Sequence, residues 1–152
     1  MKGEKSVLVG HSAGAYMAFQ ADAGRGVAAG VVIGIEGIYH LGKLVGEYSD
    51  YEGFVEGAFG RGWKDVDEEV LVEVEDGGQG SGKVVLMHSS QDELLSFGQP
   101  RYWAGVLRGR GRVVREVYDV VGNHNGVLEG VELVGVVEEE LKGLEAEAAK
   151  GN

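Results

Sequence analysis

The chain has no cysteine, a single proline, and no long apolar run. Without cysteine there is no disulfide framework, no thiol nucleophile and no thiolate zinc site. No uncharged apolar stretch reaches the ~18 residues that a membrane-spanning helix needs. The start, Met-Lys-Gly-Glu-Lys, leads into a brief apolar segment interrupted by His11 and Ser12, which is not the pattern of a signal peptide. A soluble cytoplasmic protein is the expectation. Basic residues are also scarce, 14 Lys+Arg against 25 Asp+Glu, for a net charge of −11 and a pI near 4.8. That balance argues against nucleic acid or an anionic membrane as partner. What is abundant is glycine, 28 of 152 residues. Many glycines fall in segments that otherwise read as helices, such as Leu41–Gly46 and Trp103–Gly109, where each costs about 1 kcal/mol relative to alanine. The length fits one domain over 1–152, long enough for a real core.

Val7-Leu8-Val9-Gly10-His11-Ser12-Ala13-Gly14-Ala15 is the stretch on which the rest is organised. It reads as a short apolar strand, a Gly-x-Ser-x-Gly turn and the first turn of a helix. Such a turn lifts the serine hydroxyl above the end of a sheet and sets the N–H of the next residue, Ala13, where an oxyanion could form. In so glycine-rich a chain the bare pattern is weak, with about 0.2 matches expected by chance. Its context strengthens it: the preceding run is strand-like, and Ala13 to Gln20 are good helix formers without proline. A plain Gly-rich turn is the alternative.

Val27 to Ile35 is a nearly continuous small-apolar run, as expected of a strand buried on both faces of a parallel sheet. Residues 37–76 form an aromatic, Gly-punctuated excursion with Tyr39, His40, Tyr48, Tyr51, Phe54, Phe59 and Trp63, and read as short helices over the sheet. Glu73 to Gly82 reads as an acidic loop. Lys83 to His88 is the next buried strand, running into the polar turn Ser89-Ser90-Gln91-Asp92-Glu93. A helix is expected from Phe97 or Pro100 to about Leu107, and a more polar edge strand over Arg112–Tyr118. Gly122 to Gly126 is a turn, and Val127 to about Ala149 a final acidic amphipathic helix. Strands alternating with helices imply a parallel sheet with right-handed crossovers.

In such a sheet the turns that follow the strands converge at one edge. Three of them carry Ser12, Asp92 and His124, in the order Ser, Asp, His of the α/β-hydrolases. The roles follow from proton accounting: Ser12 needs a base, His124 can take its proton near neutral pH, and Asp92 fixes the imidazole tautomer. The rival bases are His11, expected to point away from the serine; His88, expected to be a satisfied core or supporting histidine; and His40, which could line a pocket. The rival acids are Glu93, Asp119 and Glu36. The runs Asp65–Glu69 and Glu138–Glu140 lack a ligand pattern and read as solvated faces rather than metal sites. Arg108, Arg110, Arg112 and Arg115 read as helix-end and strand-edge charge.

Gly10–Gly14, Gly37-Ile38-Tyr39-His40-Leu41, Phe54–Gly60 with Trp63, His88–Leu94 and Gly122-Asn123-His124 together resemble the fungal kynurenine formamidases. The resemblance runs from about Val7 to Glu129. It implies an α/β-hydrolase that cleaves N-formyl-L-kynurenine to kynurenine and formate in tryptophan catabolism. Ser12 would be the nucleophile, Asp92 the acid and His124 the base, with neither metal nor organic cofactor. Tyr39, Phe59 and Trp63 are candidate walls for an aromatic substrate, an aryl formamide; core packing is the alternative for each.

Three departures stand out. The family's N-terminal half, with its first strands and a His-Gly-Gly loop that supplies further oxyanion donors, has no counterpart here. Lys64–Glu69 stands where a Ser-Pro element is expected, and His40 where an acidic residue is expected. The resulting expectation is the C-terminal half of an α/β-hydrolase fold: about four parallel strands flanked by helices, the N-terminal strands missing. Such a truncated domain is expected to be weak or inactive without a complementing chain, since one lost oxyanion donor costs about 10²–10³ in rate. Its unpaired sheet edge could drive homo-oligomerisation. A broad-specificity carboxylesterase and a non-catalytic, self-associating remnant are the alternatives.

Overall fold

A computed structural model describes residues 6–24, 29–67 and 82–150. Four strands form one parallel sheet in the order β1 (Ser6–His11), β2 (Ala29–Ile35), β3 (Lys83–Met87) and β4 (Val113–Val117). Each strand pairs in parallel with the next in sequence. The connections are α1 (Ala13–Gly24) after β1; α2 (Leu41–Glu47), a 3₁₀ turn (Ser49–Tyr51) and α3 (Glu52–Phe59) after β2; and α5 (Gly98–Gly109) after β3. The described part of α4 is residues 63–67. After β4 come a 3₁₀ turn (Gly126–Glu129) and the long α6 (Val131–Lys150). Among the described residues no helix is long and apolar enough to cross a membrane.

The unbroken apolar runs of β2 and β3 are explained by burial on both faces. Val32, Val84 and Leu86 join a core with Tyr16 and Phe19 of α1, Leu41 and Leu44 of α2, and Trp103 and Leu107 of α5. Ile33, Ile35, Val85 and Met87 point the other way, to a smaller core closed by Val136 and Leu144 of α6. Successive strand residues face opposite sides, so a strand covered on both must be apolar throughout.

The expected fold class holds, and most boundaries shift by a residue or two. Val27 and Ala28 of the second expected strand, and residues 68–81 of the excursion and acidic loop, lie outside the described residues. The final helix starts later than expected: Gly130, extended at φ −73°, ψ 146°, separates the 3₁₀ turn from α6. The two acidic runs are not simply solvated. Glu140 is 4% exposed and pairs with Lys83 at 2.7 Å and Arg115 at 3.1 Å. Asp67 is buried, and its carboxylate accepts from Leu41 N at 2.8 Å and Gly42 N at 2.7 Å, closing the start of α2. The arginines are surface and edge charge as expected: Arg108 pairs with Glu116, and Arg112 with Asp22 at 3.1 Å.

Candidate active site

All four strands end at the same edge of the sheet, and each hands the chain to a polar residue: Ser12 after β1, Glu36 after β2, His88 after β3 and, seven residues beyond β4, His124. Ser12 sits at φ 54°, a left-handed conformation rare for a side chain other than glycine. The strain is held by backbone bonds on both sides. Ser12 N donates to Ile35 O at 2.9 Å, and Ser12 O accepts from Ala15 N and Ile38 N at 3.1 Å each. The sharp turn brings the chain back on itself so closely that a Cβ on Gly10 would lie 2.3 Å from Gly14 O. Ala13 opens α1, so its N–H belongs to the helix's unpaired first turn.

The three residues singled out from the sequence come together. His124 Nε2 lies 3.0 Å from Ser12 Oγ, and His124 Nδ1 lies 2.9 Å from Asp92 Oδ2. Asp92 is fixed by Leu94 N and Leu95 N, which donate to Oδ1 at 2.8 and 3.0 Å. Burial opposes ionisation of Asp92. Hydrogen bonds with Glu36, with His124 and from the Leu95 and Leu94 amides outweigh it and hold its pKa below the usual carboxylate value. The carboxylate is therefore charged at neutral pH and can fix the imidazole with Nδ1–H toward Asp92, leaving Nε2 free to accept from Ser12. Gly122, at φ 132°, gives the histidine loop its turn.

Two rivals turn out to support this arrangement. Glu93 does not reach the imidazole; its Oε2 accepts from His124 N at 2.9 Å and pins the backbone of the loop. His11 was expected to point away from the serine's side chain. Its Nε2 donates to His124 O at 2.8 Å, and the two imidazole centroids are 4.8 Å apart. The x of Gly-x-Ser is chemically free in the motif, so nothing in the local pattern marks this contact. His88 is buried as expected, with Nε2 at 3.1 Å from Leu95 O and Nδ1 at 3.0 Å from Glu36 Oε2. Asp119 is exposed.

The aromatic candidates divide. Tyr39 is a core residue, its ring edge-on to Phe19 and stacked with Trp103, and it lies against Gly34 and Gly37, where a Cβ would come within 2.3 Å of it. Trp63 is also buried, but its rim lines a cavity of about 370 Å³ shared with His40, Val45, Glu52, Lys64 and Asp67. Phe59 is 40% exposed and edge-on to Tyr16. Tyr39 thus follows the core-packing alternative, because its ring fills the space that two glycines leave between sheet and α5.

No family model matches the chain. A kynurenine formamidase of Scheffersomyces stipitis is 33% identical over 86 residues, half of this chain and 30% of that protein. An acylaminoacyl peptidase of Pyrococcus horikoshii superposes over 84% of this chain and 21% of its own, with TM-score 0.62 and 19% identity. A puromycin-hydrolysing peptidase of Mycobacterium tuberculosis does so over 93% and 21%, at TM-score 0.61 and 19% identity. For a Pyrococcus furiosus esterase the shares are 95% and 55%, at TM-score 0.61 and 16% identity. The chain therefore spans about a third of the curated relative it matches and a fifth of the two peptidases. The fold is that of part of an α/β-hydrolase, with four parallel strands flanked by helices.

Proposed function

We propose that this chain carries the nucleophile, base and acid of a serine hydrolase, and that its substrate is an aryl formamide, N-formyl-L-kynurenine. The observation that carries the first part is the unbroken chain Ser12 Oγ, His124 Nε2, His124 Nδ1, Asp92 Oδ2, with gaps of 3.0 and 2.9 Å. Ser12 attacks the formyl carbon as its proton passes to His124 Nε2. Asp92 stabilises the imidazolium, and Ala13 N–H donates to the oxyanion. His124 then protonates the departing aryl nitrogen, leaving formyl-Ser12 and free kynurenine. Water, deprotonated by His124, attacks the formyl-enzyme and releases formate and Ser12. Every atom of the cycle comes from substrate, water and these side chains.

The formamide part is supported by the likeness to a kynurenine formamidase over half the chain and by the Gly37–Leu41 and Phe54–Gly60 stretches with Trp63. Burial of Tyr39 removes one aromatic wall, which favours a broad-specificity carboxylesterase as the second reading. One oxyanion donor, Ala13 N–H, is provided by the elbow itself. A second donor is worth about 10²–10³ in rate, so slow turnover is expected of these 152 residues alone, faster when a complementing chain supplies the donor.

The test is hydrolysis of formylkynurenine and of a matched aryl ester by wild type and by Ser12→Ala, alongside labelling with a fluorophosphonate. The proposal expects turnover and labelling that the substitution abolishes, with formamide preferred over ester. Ester preference selects the second reading. A folded wild-type chain that neither labels nor turns over is a non-catalytic remnant.

A further inference from the structure

Glu36 is wholly buried at φ 43°, behind the loop that carries Asp92. Its backbone N–H donates to Met87 O at 3.0 Å, which locks it at the end of β3. Its Oε1 accepts from Ser89 N at 2.9 Å, and its Oε2 lies 3.0 Å from His88 Nδ1. His88, equally buried, reaches the far end of the same loop, with Nε2 3.1 Å from Leu95 O. Leu95 N in turn donates to Asp92 Oδ1. Glu36 and His88 thus hold residues 88–95 at both ends, with the triad carboxylate between.

The proton count follows from the partners. A carbonyl oxygen only accepts, so His88 Nε2 must carry a hydrogen toward Leu95 O. With that tautomer fixed, a neutral imidazole presents a bare lone pair at Nδ1. An ionised Glu36 would then set two acceptors against each other at 3.0 Å in a fully buried site, which is costly. Both atoms are buried, and their 3.0 Å contact lacks hydrogen-bond angles; one proton on the pair, as imidazolium with carboxylate or as imidazole with carboxylic acid, removes the clash and leaves the pair with no net charge. Burial raises the Glu36 pKa, against the hydrogen bond with His88 and reinforced by Asp92, in keeping with the second form. Among the described residues two other ionisable groups face the pair: Asp92, hydrogen-bonded with Glu36 and 3.7 Å from His88 Nε2, and the buried Tyr39 hydroxyl.

We propose that Glu36 and His88 form a one-proton, net-neutral pair that braces the acid-bearing loop and leaves Asp92 as the cluster's only net charge, directed at His124. Glu36 is then a positioning residue for the triad. The inference rests on the hydrolase reading for its consequence but not for its structure. Two carboxylates buried side by side would compete for the imidazolium; a neutral pair removes that competition and keeps Asp92 the stronger acceptor.

The experiment is ¹⁵N-histidine NMR on the full chain, combined with fluorophosphonate labelling of Ser12. In wild type, His88 should show one tautomer, protonated at Nε2 toward Leu95 O. Glu36→Ala should move the His124 Nδ1–H proton resonance upfield and slow labelling about tenfold, as Asp92 loses its alignment. Glu36→Gln, whose amide can donate to Nδ1 while its oxygen still accepts from Ser89 N, should restore both. The proposal is overturned by a wild-type His88 that lacks the Nε2 proton. It is also overturned if folded Glu36→Ala keeps the wild-type His124 Nδ1–H resonance and labelling rate, or if Glu36→Gln behaves like the alanine variant. Should Glu36→Ala not fold, the wild-type spectrum and Glu36→Gln decide. A chain that never labels but shows the His88 signature loses the hydrolase reading and keeps the pair.

Discussion

A Cβ on Gly10 would stand 2.3 Å from Gly14 O and 2.7 Å from Ala15 Cα, both backbone atoms that cannot yield without opening the turn at Ser12. At Gly14 the same atom would meet nothing within 4 Å. The two glycines of one motif therefore differ in what holds them. Gly10→Ala is expected to destabilise the chain by about 1–3 kcal/mol, as overpacking does, and to abolish fluorophosphonate labelling. Gly14 lies in the first turn of α1, where alanine is favoured by about 0.5–1 kcal/mol, so Gly14→Ala should leave labelling intact and raise the urea midpoint. Labelling lost equally in both variants would mean that the turn is not held by the Gly10 contact. Ser12, Asp92 and His124 were legible because each residue type is demanded by the chemistry and each follows a recognisable strand. His11 is not, since its contact with His124 O joins the end of β1 to a loop 113 residues away and leaves no local trace.

The acid loop shows how an element's stability is tied to proton binding. Asp92 titrates below its ordinary value of 3.8, so its contribution is present above that pH and is lost as pH falls through the lowered native value. Glu36 titrates above its ordinary 4.5, so its contribution is full below 4.5 and is lost as pH rises through the raised native value. Glu36→Gln cannot ionise, and the stability advantage of wild type over this variant should shrink as pH rises above about 4.5. Melting temperatures of the two chains across that range test it; a constant difference would mean that Glu36 titrates normally. The start of α2 is a simpler case. Asp67 caps Leu41 N and Gly42 N, and Asp67→Ala leaves two backbone donors without an acceptor, for an expected loss of about 1–3 kcal/mol in denaturant titration. An unchanged midpoint would show that water replaces the cap. Asp67 was read as solvated because an Asp-x-Asp-Glu-Glu run looks like a polar face; only the return of α4 over α2 buries it. The strands were easier to read, since β2 and β3 are apolar at every position, a pattern that requires cover on both sides.

At the scale of the whole molecule the sheet has two unlike sides and two unlike edges. The face toward α1, α2 and α5 holds the larger core, and the face toward α6 the smaller. Edge strand β4 carries Arg115 and Glu116 among its five residues and meets ion pairs from α5 and α6. Among the described residues edge strand β1 has no such guard: it pairs with β2 on one side only, and Val9 is 48% exposed. An edge without charge, proline or cover is a template for another strand. That asymmetry was foreseeable from the polar Arg112–Tyr118 run against the apolar Val7–Val9, though not which helices would cover each face. Self-association of two copies through β1 remains a proposal, with a direct consequence for sedimentation. Wild type should show concentration-dependent dimers, and Val9→Lys, which places a charge on the open strand, should shift the equilibrium to monomer by about tenfold or more in dissociation constant, or ~1.4 kcal/mol. A dimer that survives Val9→Lys unchanged would place the contact elsewhere and leave β1 an open edge.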